Sequence, residues 1–263
     1  MSSRLREILL NVEISPEQQQ RNFDEIQAEV LRSSRSMRSE ANFTAFHPDD
    51  LRCMFEAYDR RVMDRSCATA LAGRKLDFIL SARMTKAGGR TAWRITRSRR
   101  TGETSEEFEI AVSSHLLFQT FRDDSRAVTV TGLECRDRLQ AMQRIVEHEI
   151  IHLSEQLVWR NSSCRARRFQ SIARRLFGHR AHTHDLVTTS QVARQQHGIR
   201  RGSRVAFEFE GRRFEGVVNR ITKRVTVLVP DAAGFPYSDG RRYRKFYIPL
   251  PQLQCLDGSR PSG

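Results

Sequence analysis

The spacing of apolar positions divides the chain into segments of different character. Residues 1–45 are dominated by Gln, Ser, Glu and Arg and predict a polar tail or a loosely docked helix. Pro48-Asp49-Asp50 then supplies a helix start, and Leu51, Met54, Phe55, Tyr58 and Val62 follow at helical spacing. Residues 76–83 and 91–99 read as strands joined by a Gly-containing hairpin loop over 86–90. Residues 108–112 read as a third strand, and the three predict a small antiparallel sheet. Residues 128–132 form an extended lead-in to a long helix over about 135–159. Leu139, Met142, Val146, Ile150, Leu153 and Leu157 make one stripe of that helix. Ile145 and Ile151 fall off the stripe, which marks a helix buried on more than one side.

A further helix is predicted over 165–177, with Phe169, Ile172, Ala173, Leu176 and Phe177 inward and Gly178 at its C-terminal cap. Thr188-Thr189-Ser190 offers an N-cap for a short helix ending near Gly198. Strand patterns over 204–210, 213–221, 224–229 and 244–250, with turns at Gly211 and Asp239-Gly240, predict a small SH3-like β-barrel. Of its aromatic residues, Phe207, Phe209, Phe214, Tyr243 and Tyr247 are expected mainly in the barrel core. The fold class is therefore α+β, with a helix-and-sheet domain over 46–190, a linker helix over 191–199, the barrel over 200–256 and a tail over 257–263.

Charge sharpens this division. Residues 1–150 carry 24 basic and 23 acidic groups, whereas 151–263 carry 21 basic and 8 acidic groups. The net charge of +14 is thus +1 in the first part and +13 in the second. A basic field of that kind attracts polyanions, so nucleic acid is an expected partner of the 151–263 region. Arg167, Arg168, Arg174 and Arg175 are the candidate contacts. No apolar run reaches the roughly 18 residues of a spanning helix, and the N-terminus lacks a secretory apolar region, so no membrane role is expected. Five cysteines without a CxxC pair predict no disulfide framework and no zinc ribbon. The expected location is a reducing cytoplasm, with nucleoid association in a bacterium, or the nucleus in a eukaryote.

The chemistry-bearing motif is His148-Glu149-Ile150-Ile151-His152, an HExxH pattern inside the buried helix. The i, i+4 spacing puts both imidazoles on one face, where they can bind one zinc ion. Glu149 projects at a different angle, suited to a general base. A third ligand is needed. The extended pattern HExxHxxGxxH fails, because Glu155 and Val158 stand at its Gly and His positions. Asp185 is the only acidic residue between Glu155 and Glu208, so a following-helix glutamate is also missing. Glu155 is expected to support His152 from outside the ligand set. Cys164, His179, His182, His184 and Asp185 remain as third-ligand candidates, with Cys164 the first past the helix.

In its order of features the chain resembles the SprT-like (Spartan-type) metallopeptidases. The resemblance runs over about 45–190. It includes Ala57-Tyr58-Asp59 on a helix, Arg83-Met84-Thr85 after a strand, Glu109–Ser113 leading into Leu116-Leu117, the HExxH helix, Phe169, and Gly178 to Thr183-His184. It implies a zincin-like domain, zinc as cofactor, a protein or peptide substrate, and association with DNA. It also implies an edge strand that aligns an extended substrate by main-chain hydrogen bonds, here 107–113. The family's third histidine stands four residues before a phenylalanine. Counting back from Phe169 gives Arg165, which cannot bind zinc, and the adjacent Cys164 can replace it.

The sequence thus points to a zinc metallopeptidase with Glu149 catalytic and His148, His152 and Cys164 as ligands, His179 and His184 being alternatives to Cys164. The alternative reading is a nucleic-acid-binding protein whose zinc site is structural or vestigial.

Overall fold

A computed structural model describes residues 3–98, 100, 102–121 and 127–257. The chain is mixed α+β and divides into two units, Met1–Leu186 and Val187–Gly263. Arg99, expected at a strand end, and residues 258–263 of the expected tail lie outside the described residues.

The first unit begins with α1 (Ser3–Asn11), α2 (Pro16–Ser33), α3 (Pro48–Arg61) and α4 (Ser66–Leu71). The N-terminal 45 residues are not a loosely docked segment. Leu5, Ile8 and Leu9 of α1 and Phe23, Ile26 and Val30 of α2 are buried in the same core as the motif helix. Leu5, Ile8 and Leu9 stand at i, i+3 and i+4, and Phe23, Ile26 and Val30 at i, i+3 and i+7, so each helix carries a narrow apolar stripe whose burial outweighs the polar surroundings. Ser15 accepts from the Gln18 backbone N–H and Pro16 occupies the first turn, so α2 starts with a built cap. The start of α3 agrees with the sequence reading, His47 and Asp50 forming a reciprocal cap.

A three-stranded sheet follows, made of β1 (Lys75–Leu80), β2 (Gly89–Arg97) and β3 (Thr104–Val112) in the order β1-β3-β2. It is mixed rather than antiparallel. β1 runs parallel to β3, and β2 pairs antiparallel with the other side of β3. The expected hairpin through 86–90 therefore does not form, because β1 and β2 do not pair. The expected substrate strand is corrected too. Residues 107–113 lie largely in β3, whose two edges are both taken, so the free edge beside the motif helix belongs to β2.

α5 (Ser114–Thr120) and a two-stranded hairpin of β4 (Val128–Val130) and β5 (Leu133–Cys135) lead to α6 (Arg138–Trp159), capped by Asp137. As expected, α6 is buried on several sides, including Ile145 and Ile151. α7 (Arg167–Phe177) buries all five expected apolar residues. It ends at Gly178, whose φ of 71° suits a residue without a Cβ.

The second unit starts with α8 (Thr189–His197), capped by Thr188. Ala193 of α8 is buried in the core of this unit, so the helix expected as a linker is part of it. Strands β6 (Arg204–Phe209), β7 (Arg212–Ile221), β8 (Val225–Pro236), β9 (Arg242–Ile248) and β10 (Gln254–Cys255) form one antiparallel sheet. Its order, β10-β6-β7-β8-β9, leaves β9 and β10 as ends and does not close into a ring among the described residues. Phe207 and Tyr243 are buried, whereas Phe209 and Tyr247 are exposed, so the expected aromatic core is only partly formed by those residues. Phe214 is partly buried against Phe207 and Phe246, and aliphatic residues such as Val225 complete the core.

Candidate metal centre

The metal-binding geometry grows out of one turn of α6 and the chain just past its end. His148 and His152 lie one turn apart, with their Nε2 atoms 3.2 Å from each other. Arg160 caps the helix in the left-handed region, and the turn that follows brings Cys164 back beside the histidines. One donor atom from each of His148, His152 and Cys164 lies within 4.8 Å of the other two. Bond lengths of about 2.0–2.3 Å to zinc put tetrahedral donors roughly 3.3–3.8 Å apart, so this set fits a cation at its centre after small adjustment. Phe169 of α7 packs against both rings, with centroid distances of 4.8 Å to His148 and 4.5 Å to His152.

Hydrogen bonds orient His152. Glu155 is fully buried and, as a carboxylate, only accepts; Ser162 Oγ donates to its Oε2 at 2.6 Å. Ser162 Oγ therefore accepts from His152 Nδ1–H at 2.7 Å, which leaves the Nε2 lone pair facing the centre. Arg168 Nε closes the chain on the other Glu155 oxygen at 2.6 Å. The expected support of His152 by Glu155 is thus relayed through Ser162, a residue that the sequence reading did not single out. Burial pushes His148 down to about 3 and His152 down to about 4, so both rings are neutral near pH 7 and need lose no proton to bind a metal.

Glu149 is hydrogen-bonded to β2. Its Oε2 accepts from Thr91 Oγ1 at 2.8 Å, and the same hydroxyl bonds the Glu149 carbonyl at 3.0 Å. Burial pushes the carboxyl up to about 7, against partial stabilisation by Thr91. A cleft of about 560 Å³ is lined by His148, Glu149, His152 and Cys164, by Gly88–Thr91 at the start of β2, and by 182–184 opposite. A carboxylate with a pKa near neutrality in such a cleft is suited to exchanging protons. The fit around Glu149 is tight. A Cβ at Gly89 would stand 2.5 Å from Glu149 Oε1 and 2.6 Å from Ile145 Cγ2. Gly89→Ala is expected to cost about 1–3 kcal/mol of stability in a urea titration and to disturb the carboxylate.

The other candidate ligands lie elsewhere. His179 is 3% exposed and bonds Glu147 Oε2 at 2.8 Å; Glu147 also accepts from Tyr58 and Arg144. This buried network holds His179 outside the three-residue set and uses the Tyr58 of the Tyr-Asp pair. Asp59 of that pair accepts from the Cys67 and Ala68 backbone at the start of α4. His179→Ala is expected to destabilise the fold by about 1–3 kcal/mol while leaving metal content unchanged. His184 lies on the cleft wall and accepts from the Gly88 backbone N–H at 2.9 Å, outside the three-residue set. Asp185 donates its backbone N–H to the Thr129 carbonyl and accepts from the Thr129 N–H through Oδ1. The 178–184 segment is pinned to the β4–β5 hairpin, because the backbone N–H groups of Arg180 and Ala181 both reach the Thr131 carbonyl.

The four arginines expected to meet nucleic acid divide into two pairs. Arg168 is committed to Glu155 and the Asn161 carbonyl. Arg175 bonds the Leu9 and Val12 carbonyls at the end of α1, so it is structural. Arg167 and Arg174 have no such commitment among the described residues.

No helix among the described residues is long and apolar enough to cross a membrane. Comparison of the chain with family models, with curated proteins and with solved structures finds no match.

Proposed function

We propose that this chain is a zinc-dependent peptidase of SprT-like type acting on proteins bound to nucleic acid. The observation that carries the reading is the convergence of His148, His152 and Cys164 in one cleft with the buried Glu149 carboxylate. The same reading takes the first unit as a zincin-like domain and the second as an SH3-like module. Two imidazoles and a thiolate suit zinc, which supplies Lewis-acid polarisation of a carbonyl and acidification of water.

The chain's own residues supply the rest. The free edge of β2 offers main-chain donors and acceptors to an extended polypeptide, laying it across the cleft at Gly89–Thr91. Glu149 takes the proton of the attacking water and passes it to the leaving amine. Thr91 holds the carboxylate between these transfers, and its hydroxyl favours the ionised form. Ser162, Glu155 and Arg168 keep His152 in the ligating tautomer. Incubation with a DNA-bound protein, with chelator and then with added zinc, tests the reading: cleavage should stop on chelation and return with zinc.

A second reading, nucleic-acid binding around a structural zinc, is favoured by the thiol in the third position, which lowers the electrophilicity of the metal. Under either reading the +13 charge of 151–263 predicts oligonucleotide binding that weakens steeply as salt rises from 50 to 200 mM. Salt-independent affinity in an anisotropy titration would count against nucleic acid as a partner.

A further inference from the structure

A second cavity of about 610 Å³ adjoins the metal cleft in the first unit. One side is a face of α7, where Arg167, Gln170, Ser171 and Arg174 follow at i, i+3, i+4 and i+7. The other side is the 179–182 segment, with Arg180 and His182. Among the described residues, none that lines it is acidic. Arg167, Arg174 and Arg180 have no ion pair among the described residues, whereas Arg168 and Arg175 of the same helix are fully committed. Arg167, Arg174 and Arg180 are solvent-exposed and line the cavity from both walls, so an anion that enters it meets positive charge on either side.

Two further observations point to an occupant. His179 forms part of the wall, and its buried Nδ1 has no hydrogen-bond partner among the described residues while its Nε2 is held by Glu147. His182 lines both this cavity and the metal cleft, and Phe169, another lining residue, packs on both metal-binding imidazoles. A group in this cavity is therefore a short branch from whatever lies in the cleft.

We propose that this cavity is a specificity subsite for an acidic side chain of the polypeptide substrate, close to the scissile bond, bound by Arg167, Arg174 and Arg180. The proposal rests on the peptidase reading. Guanidinium groups pair with carboxylates through two parallel hydrogen bonds, and a pocket ringed by them selects Asp or Glu over their amides. A nucleic-acid backbone fits less well. Its charges repeat along a polymer that needs a continuous groove, while this cavity is bounded by one helix face and one loop and shares a wall with the cleft.

The test uses the full chain carrying Glu149→Gln and loaded with zinc, so that binding is read without cleavage. A fluorescent peptide with glutamates on either side of its centre is compared with the same peptide bearing glutamines. The glutamate peptide should bind about tenfold or more tightly. Arg174→Glu should erase the difference, Lys223→Glu in the second unit should preserve it, and an oligodeoxynucleotide of matched length should not displace the peptide. Zinc content reports folding; if Arg174→Glu loses zinc, Arg180→Gln takes its place. Equal affinity of the two peptides would overturn the subsite. So would displacement by the oligodeoxynucleotide, which would assign these arginines to phosphodiesters. An acidic preference in the Glu149→Gln chain, with no protein cleaved by the zinc-loaded parent chain, would remove the peptidase reading and leave the anion subsite standing. Equal peptide affinities with cleavage intact would remove the subsite alone.

Discussion

Replacing Glu149 by glutamine is expected to slow peptide cleavage by about a thousandfold and, at the same time, to make the metal-free chain more stable above neutral pH. The two effects share one cause. The carboxyl is buried and pushed up to about 7, from about 4.5. Between those values the folded chain binds more protons than the unfolded one, so stability falls as pH rises through the interval. The loss amounts to about 3 kcal/mol by pH 8. Glutamine keeps an acceptor for Thr91 and carries no charge to bury, so it escapes the loss. Urea titrations of metal-free protein should give equal stabilities for parent and variant near pH 4 and a more stable variant at pH 8. Bound zinc should narrow the gap, because a nearby cation favours the carboxylate. A variant that cleaves as well as the parent would remove Glu149 from the mechanism. A gap that does not grow with pH would show that its carboxyl is not held protonated by the fold.

The second large effect concerns the ligands. Cys164→Ser should weaken zinc binding by more than about a hundredfold, beyond the ten- to hundredfold expected when an outer partner is lost. Ser162→Ala should fall within that smaller range, since it removes the hydrogen bond that fixes the His152 tautomer but no donor atom. His184→Ala should leave stoichiometric zinc, because that imidazole is engaged with the Gly88 backbone. Competitive titration against a chromogenic chelator measures all three. Retention of tight zinc by Cys164→Ser with loss in His184→Ala would reassign the third ligand.

The parts of this account that were legible in the sequence are those that local spacing determines. The i, i+4 histidines and the apolar residues around them identify α6 and its chemistry, since a helix fixes which side chains share a face. Cys164 was reachable because it follows the helix by a short turn. Strand order was not legible, because pairing β3 between β1 and β2 is a choice made across the chain, and a Gly-containing loop at 86–90 mimics a hairpin. That loop instead lines the cleft and bonds His184. The role of 1–45 was obscured by composition. The stripe Leu5, Ile8, Leu9 was present but diluted by Arg, Glu and Gln, and only the structure shows what it meets. Its consequence reaches the site: Arg175 and Gln19 tie α7 to the N-terminal helices, and α7 carries Phe169 beneath the metal-binding imidazoles. Thr91 and Ser162 carry no sequence signal beyond their position in a strand and a turn, because their roles depend on partners in other elements.

The ligand set is the centre of the account, and X-ray absorption at the zinc edge of the loaded full chain tests it most directly. The expected spectrum has a sulfur at about 2.3 Å together with imidazole nitrogens at about 2.0–2.1 Å, and it loses the sulfur in Cys164→Ser. A first shell of nitrogen and oxygen alone, or a chain that takes up no zinc, would contradict it.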